Sequence, residues 1–110
     1  MQDNLEREKR ISTCQGIQLL YRARKAALEE HEREIERLLS EYRNELSPQK
    51  RQALKEQNTS EIARITGLMT ENRKLLQIHR GGLANKEQQL NDLENDYQFN
   101  QCSVFIGSIN

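Results

Sequence analysis

Four side chains of types that commonly do chemistry stand out in this sequence, namely His31, His79, Cys14 and Cys102. If the chain reverses near Ser47, His79 comes close to Cys14, and a thiol beside an imidazole is the starting arrangement of a cysteine nucleophile. Such a nucleophile also needs a group that orients the imidazole and donors that bind an oxyanion, and unbroken helices supply neither. The sequence therefore predicts no catalytic site.

Neither a metal site nor a phosphate-binding loop is indicated. His31 and Glu32 match the first two residues of the zinc-protease helix motif, but the position of its second histidine is occupied by Ile35. Gly81 and Gly82 lie inside a helical pattern with no strand before them, unlike the glycines of a phosphate-binding loop. We expect that the protein is not an enzyme and binds no cofactor.

Composition and charge narrow the class of protein. Of the 110 residues, 35% are hydrophobic and 31% are charged, which leaves little material for a globular core. The 17 basic and 17 acidic side chains interleave and cancel, so no field would concentrate nucleic acid or anionic lipid. No apolar run approaches the ~20 residues that span a bilayer. We expect no nucleic-acid partner and no membrane insertion.

The cysteines and the N-terminal sequence bear on the compartment. Two cysteines are too few for a disulfide framework, and Cys14 lies inside a helical pattern. The first residues, Met-Gln-Asp-Asn-Leu-Glu, have neither the basic nor the apolar region of a secretory signal. A cytoplasmic protein in a reducing environment is expected.

Two apolar stripes with alternating spacings of three and four predict two long helices. We call these stripes the seam. On the first helix the seam comprises Cys14, Ile17, Tyr21, Arg24, Leu28, His31, Ile35, Leu38 and Tyr42. On the second it comprises Ile62, Ile65, Met69, Asn72, Leu76, His79, Leu83, Lys86, Leu90, Leu93 and Tyr97. The polar members, His31, Asn72, His79 and Lys86, are interpreted as positions that restrict register at a cost in stability.

The predicted fold class is all-α, an antiparallel coiled-coil hairpin of residues 1–97. Because a residue before proline disfavours helical geometry, Ser47-Pro48 predicts that the first helix covers about 3–46 and the second about 48–97, with the turn near 47. This turn places the facing pairs Ile35 with Thr59, Leu28 with Ile65, and Ile17 with Leu76. The irregular apolar tail, 98–110, is predicted either to be disordered or to order on a partner or a second copy.

A two-stranded seam half-covers each apolar side chain, so the hairpin is expected to be marginal alone and firmer with a partner. The predicted hairpin end carries Leu39, Tyr42, Leu46 and Leu54, which we expect to offer exposed apolar area for a partner protein. Tyr42→Ala is then expected to weaken partner binding without changing helicity.

Three segments, Leu38–Ser47, Glu71–Arg80 and Lys86–Leu90, resemble the FliJ and YscO group of stalk proteins of flagellar export and type III secretion. Over Cys14–Glu94 the chain is most similar to the InvI branch of injectisome stalks. The resemblance implies a cytoplasmic hairpin, peripheral at the inner membrane through its partners. It would enter the export ATPase hexamer, link it to the membrane export gate, bind secretion chaperones and serve virulence. The apolar tail departs from the charged ends typical of the group.

A second class of function remains open at this point. The same composition suits a generic coiled-coil scaffold or adaptor that dimerises through its helices and binds partner proteins. Self-association is possible in either case. A dimer of this kind would dissociate on dilution, whereas an intramolecular hairpin would not.

Overall fold

A computed structural model describes residues 2–110 of the chain, except for the side chain of Gln2. Helix α1 covers Gln2–Glu41, and a π-helical turn, Tyr42–Leu46, joins it without a break to α2, Ser47–Lys55. After a short turn, α3 covers Thr59–Phe99, and a five-residue helix α4 covers Cys102–Ile106. The run from α1 through α2 packs against α3, which confirms the predicted all-α helical hairpin.

The predicted turn at Ser47-Pro48 is wrong, because the helix continues through it. Ser47 itself is helical, with φ −61° and ψ −47°. In the π-helical turn the Ser47 N–H donates to Tyr42 O, five residues back. This shift in the bonding pattern falls just where Pro48 has no N–H to donate, and a π-turn is one of the recognised ways in which a helix absorbs such an irregularity. Pro48 then lies in the first turn of α2, where a proline is tolerated.

The chain reverses instead at residues 56–58. Gln57 adopts the left-handed conformation, with φ 54°. The Asn58 N–H donates to Ala53 O at 3.0 Å and the Gln57 N–H to Leu54 O at 3.2 Å, which together form a Schellman motif. Asn58 also begins the next helix, since its Oδ1 accepts from the Glu61 N–H at 3.2 Å. One residue therefore closes α2 and caps α3.

The displaced turn changes the register of the seam. Leu38 now lies opposite Asn72, whose Nδ2 donates to Leu38 O, and His31 lies opposite His79. The predicted pairs Ile35–Thr59, Leu28–Ile65 and Ile17–Leu76 are therefore wrong. Their error has a single cause, because each was counted from Ser47.

The chain divides into two compact units, which we call the terminal unit (Met1–Glu29 with Ala84–Asn110) and the turn unit (Glu30–Leu83). The core of the turn unit is a cluster of four buried residues from α2, α3 and the π-helical turn, with Tyr42 and Ile62 packed against it: Leu46, Ala53, Ile65 and Met69. Complete burial of one such aliphatic side chain contributes about 1.5 to 3 kcal/mol. The small Ala53 gives α3 close access to α2.

The core of the terminal unit includes the tail. Cys14, Ile17, Tyr97 and Cys102 form its buried cluster, against which Leu93, Ile106 and Ile109 pack. The tail was expected to be disordered or to order on another molecule. It packs on its own chain instead, because Cys102, Ile106 and Ile109 cover apolar side chains of α1 and α3.

Candidate protein-binding surfaces

The predicted seam residues lie on the inward faces of their units. Ile17 is buried in the terminal unit, where Leu28 is half-buried. In the turn unit, Ile65 and Leu76 are buried and Ile35 and Leu83 are half-buried. The remaining predicted seam positions are also buried or half-buried. The spacing of the stripes therefore coincides with the inward faces of the helices, although the partners assigned across the seam were wrong.

A histidine pair crosses the seam of the turn unit. His31 Nδ1 and His79 Nδ1 are 3.0 Å apart, so one imidazole donates and the other accepts. The ring centroids are 5.2 Å apart and the planes are inclined by 58°. The pairing of His79 with Cys14 that the earlier register suggested is not found. Both histidines are half-buried, as polar seam positions are expected to be.

Gly82 makes room for this pair. A Cβ atom at position 82 would lie 2.5 Å from His31 Cε1 and 2.6 Å from His31 Nε2. At Gly81 the same construction meets nothing within 4 Å. Of these two adjacent glycines, only Gly82 is required by packing, and it is required by the imidazole that contacts His79.

Asn72 is the one buried polar residue of the seam in the described chain, at 2% exposure. Its Nδ2 donates to Leu38 O at 3.0 Å. Its Oδ1 has no hydrogen-bond partner among residues 2–110. A half-satisfied buried amide lowers stability but rejects registers in which it would meet only apolar side chains.

Charged side chains outside the seam pair along one helix. Arg37 Nη2 lies 2.9 Å from Glu34 Oε2, and Arg37 Nη1 lies 3.2 Å from Glu41 Oε2. The hydrogen bond from Arg37 lowers the pKa of the Glu34 carboxyl, and the charge of His79 acts in the same direction more weakly. Exposed pairs of this type contribute a few tenths of a kcal/mol each and leave the outer faces well solvated.

The four residues predicted to bind a partner are not equivalent. Leu46 is buried in the core of the turn unit, Tyr42 packs against that core, and Leu39 is half-buried. Only Leu54 is exposed, at 52% of its surface. Leu54 also lies close to the observed turn, whereas the other three precede Ser47. The prediction of a shared exposed surface is therefore wrong for Leu46. Leu54 is the most exposed of the four residues.

Apolar side chains other than Leu54 are also exposed. They lie at non-seam positions of both long helices and near the C-terminus: Leu5, Leu19, Leu20, Leu68, Ile78, Phe99 and Val104. Leu20 and Leu68 were recognisable from the sequence as residues flanking the seam. Phe99 and Val104, at 87% and 78% exposure, were not recognisable, because the tail had no assigned conformation. Single exposed leucines are ordinary, so none of these defines a site by itself.

The feature that sequence reasoning missed is the attachment of the tail. Cys14 and Cys102 form a disulfide between α1 and α4, with a Cα–Cα distance of 5.4 Å. The cysteines were judged too few for a disulfide framework, and this single bond between them was not predicted. Persistent disulfides are typical of oxidising compartments, so this bond gives no support to the expected reducing cytosol. The signal available was only that both cysteines lie close to the chain ends.

A tyrosine hydroxyl links the two helices of the terminal unit. Tyr21 is buried, and its hydroxyl donates to Glu94 Oε1 at 3.2 Å. Burial raises the pKa of the Tyr21 phenol above its ordinary value, and the hydrogen bond and charge of Glu94 raise it further. The folded state therefore favours the neutral phenol of Tyr21 over the phenolate.

Within residues 2–110, no group of three or more His, Cys, Asp or Glu side chains is arranged to hold a metal ion. No helix in the same range combines the length and apolar character that crossing a membrane requires. Comparison of the chain with protein-family models, with curated proteins and with solved structures finds no match.

Proposed function

We propose that this chain is the coiled-coil stalk of a type III secretion system, which links the export ATPase hexamer to the membrane export gate and binds secretion chaperones. The observation that supports the proposal is the intramolecular hairpin, in which one chain supplies both antiparallel helices. A single hairpin could occupy the axis of a ring of six without a second copy.

The turn offers the first surface to test for a partner. Leu54 is exposed on α2, two residues before the turn, and the two residues that follow it, Lys55 and Glu56, are polar. An exposed leucine next to a rigid Schellman motif can enter a pocket of a partner with little loss of backbone freedom. Tyr42→Ala is a poorer test than the sequence suggested, because Tyr42 also supports the buried cluster of the turn unit.

The first experiment measures binding to the soluble part of the export gate protein. Leu54→Ala is expected to weaken binding about tenfold, the effect of losing ~1.4 kcal/mol at an interface anchor. Lys55→Ala is the matched control, since it shortens the adjacent exposed side chain. Circular dichroism should find the same helicity in both variants. Equal affinity of the two variants would remove Leu54 from the interface.

The second experiment measures ATP hydrolysis by the export ATPase hexamer with and without the chain. A stalk is expected to co-purify with the hexamer and to change its rate of hydrolysis. If the chain binds neither the hexamer nor the export gate, the proposal of a secretion stalk fails.

The generic scaffold is the second candidate, and a specific observation favours it. Each unit has apolar side chains that its own seam does not cover, among them Leu19 and Leu20 in the terminal unit and Leu68 and Ile78 in the turn unit. A second copy could bury them. Analytical ultracentrifugation at two concentrations separates the candidates, because a dimer dissociates on dilution and a single-chain stalk keeps one mass.

A further inference from the structure

The C-terminal tail covers an apolar surface of its own molecule. The part of the tail that packs on the chain is residues 102–110, and in this subsection the word tail refers to that part. Its seat is the surface formed by Cys14 and Ile17 of α1 with Leu93 and Tyr97 of α3. Ile106 and Ile109 of the tail pack against this seat. Cys14 and Cys102 have no exposed surface at all. The tail therefore takes the place that a partner segment would otherwise occupy.

Besides the apolar packing of Ile106 and Ile109, few non-covalent contacts hold the tail. The Tyr97 hydroxyl donates to Gly107 O, and Gln18 Nε2 donates to Ser108 O at 3.0 Å. The contact from Lys25 Nζ to Asn110 Oδ1 is long at 3.5 Å and exposed, and the Arg10 guanidinium lies 6.0 Å from the centroid of the Phe105 ring. Ordering the whole tail costs conformational entropy, which opposes these contacts. The disulfide adds a covalent link to them.

A residue with positive φ lies immediately before α4 and another immediately after it. Gln101, immediately before α4, has φ 54°, and Gly107, immediately after it, has φ 83°. A helix of five residues has no stability of its own, since nucleation alone costs more than one turn returns. The tail can thus leave its seat by rotation at Gln101 without disturbing the hydrogen bonds of α3.

We propose that the Cys14–Cys102 disulfide is a redox-controlled latch, which keeps the tail on its seat when oxidised and releases it when reduced. The proposal does not depend on the hairpin being a secretion stalk. Release would uncover Ile17 and Tyr97, both now buried, and so create an apolar surface that exists only in the reduced protein.

The chemistry is thiol–disulfide exchange with a dithiol reductant. One thiolate of the reductant attacks a sulfur of the disulfide, which releases one cysteine as a thiolate and forms a mixed disulfide with the other. The second thiolate of the reductant then attacks the reductant's own sulfur in that mixed disulfide and releases the second cysteine thiolate. The Cys14–Cys102 bond breaks, each cysteine gains one electron and one proton, and the dithiol becomes a disulfide. Because both sulfurs are buried, attack must wait until residues 103–110 lift away, which the weakness of their other contacts permits.

Hydrogen exchange of the full chain, read by mass spectrometry, tests the latch. The oxidised chain and the same chain in excess dithiothreitol are compared. After reduction, the amides of α4 are expected to exchange at least about tenfold faster. Peptides of the turn unit, which contains no cysteine, should exchange at the same rate in both samples.

The double variant Cys14→Ser with Cys102→Ser provides the control. It should exchange like the reduced chain and should not respond to dithiothreitol. Its far-ultraviolet circular dichroism shows whether the hairpin persists, and the reduced wild-type chain answers the same question if the variant fails to fold.

Three results would overturn the latch. Unchanged protection of the tail after reduction would mean that non-covalent contacts suffice to hold it. Loss of protection throughout the turn unit would mean that the disulfide braces the whole fold. Two free thiols in the chain purified and assayed under oxidising conditions would mean that the bond does not form.

Discussion

His31 and His79 face each other through the same ring atom, Nδ1 to Nδ1, at 3.0 Å. One proton between the two nitrogens makes a hydrogen bond, and a second proton leaves two donors and no acceptor. His79 also acts electrostatically on the Glu34 carboxyl, which is hydrogen-bonded to Arg37.

Two adjacent glycines should respond in opposite ways to alanine. Gly81→Ala fills open space in a helix and should stabilise the chain by roughly 0.5 to 1 kcal/mol. Gly82→Ala gains the same helix propensity but pushes the His31 ring off its contact with His79, at a cost of about 1 kcal/mol or more. Urea unfolding of both variants checks the difference. Equal stabilisation would show that the imidazole can move without loss.

The position of the turn can be tested with glycine. Gln57→Gly removes the penalty of a side chain in the left-handed region and should stabilise the hairpin by about 1 kcal/mol. Ser47→Gly is its counterpart at the position where the sequence placed the turn. Because Ser47 is helical, that change should destabilise the hairpin by about 0.5 to 1 kcal/mol. If Ser47→Gly stabilised the hairpin and Gln57→Gly destabilised it, the result would favour a turn at Ser47-Pro48 over the turn at residues 56–58.

Alkaline pH should weaken the terminal unit through Tyr21. The pKa of its phenol is raised in the fold, so its contribution is complete below the pKa of an unfolded tyrosine, about 10, and disappears as the pH rises through the higher folded value. The phenolate would then face the Glu94 carboxylate. Tyr21→Phe should show a shallower loss of thermal midpoint above pH ~10, with Tyr42→Phe as the control. If the thermal midpoints of the two variants decreased equally, ionisation of Tyr21 would not be the cause.

The inward faces of the helices could be read from the sequence, because apolar spacing depends only on helix geometry. The turn could not be read from the proline rule. That rule describes an average, and a π-helical turn beside Pro48 overrode it. The sequence does contain a better local signal for the turn. Asn58 followed by Glu61 has the spacing of a capping box, which predicts that a helix begins at residue 58.

The candidate surfaces were less predictable than the seam, for a physical reason. Exposure of Leu46 or Leu54 depends on which side of the true turn they lie, so an error in the turn alters every assignment near it. The tail depends on a contact between residues separated by 88 positions, and no local pattern records such a contact. Composition alone suggested that the tail differs from the helices and could not say where it goes.

The covalent bond between Cys14 and Cys102 makes the intervening chain a closed ring with two short ends. A protease that cuts once at Gln57 would leave two peptides that still migrate as one species until a reductant is added. The molecule can thus lose its only connection between α2 and α3 and remain a single covalent entity.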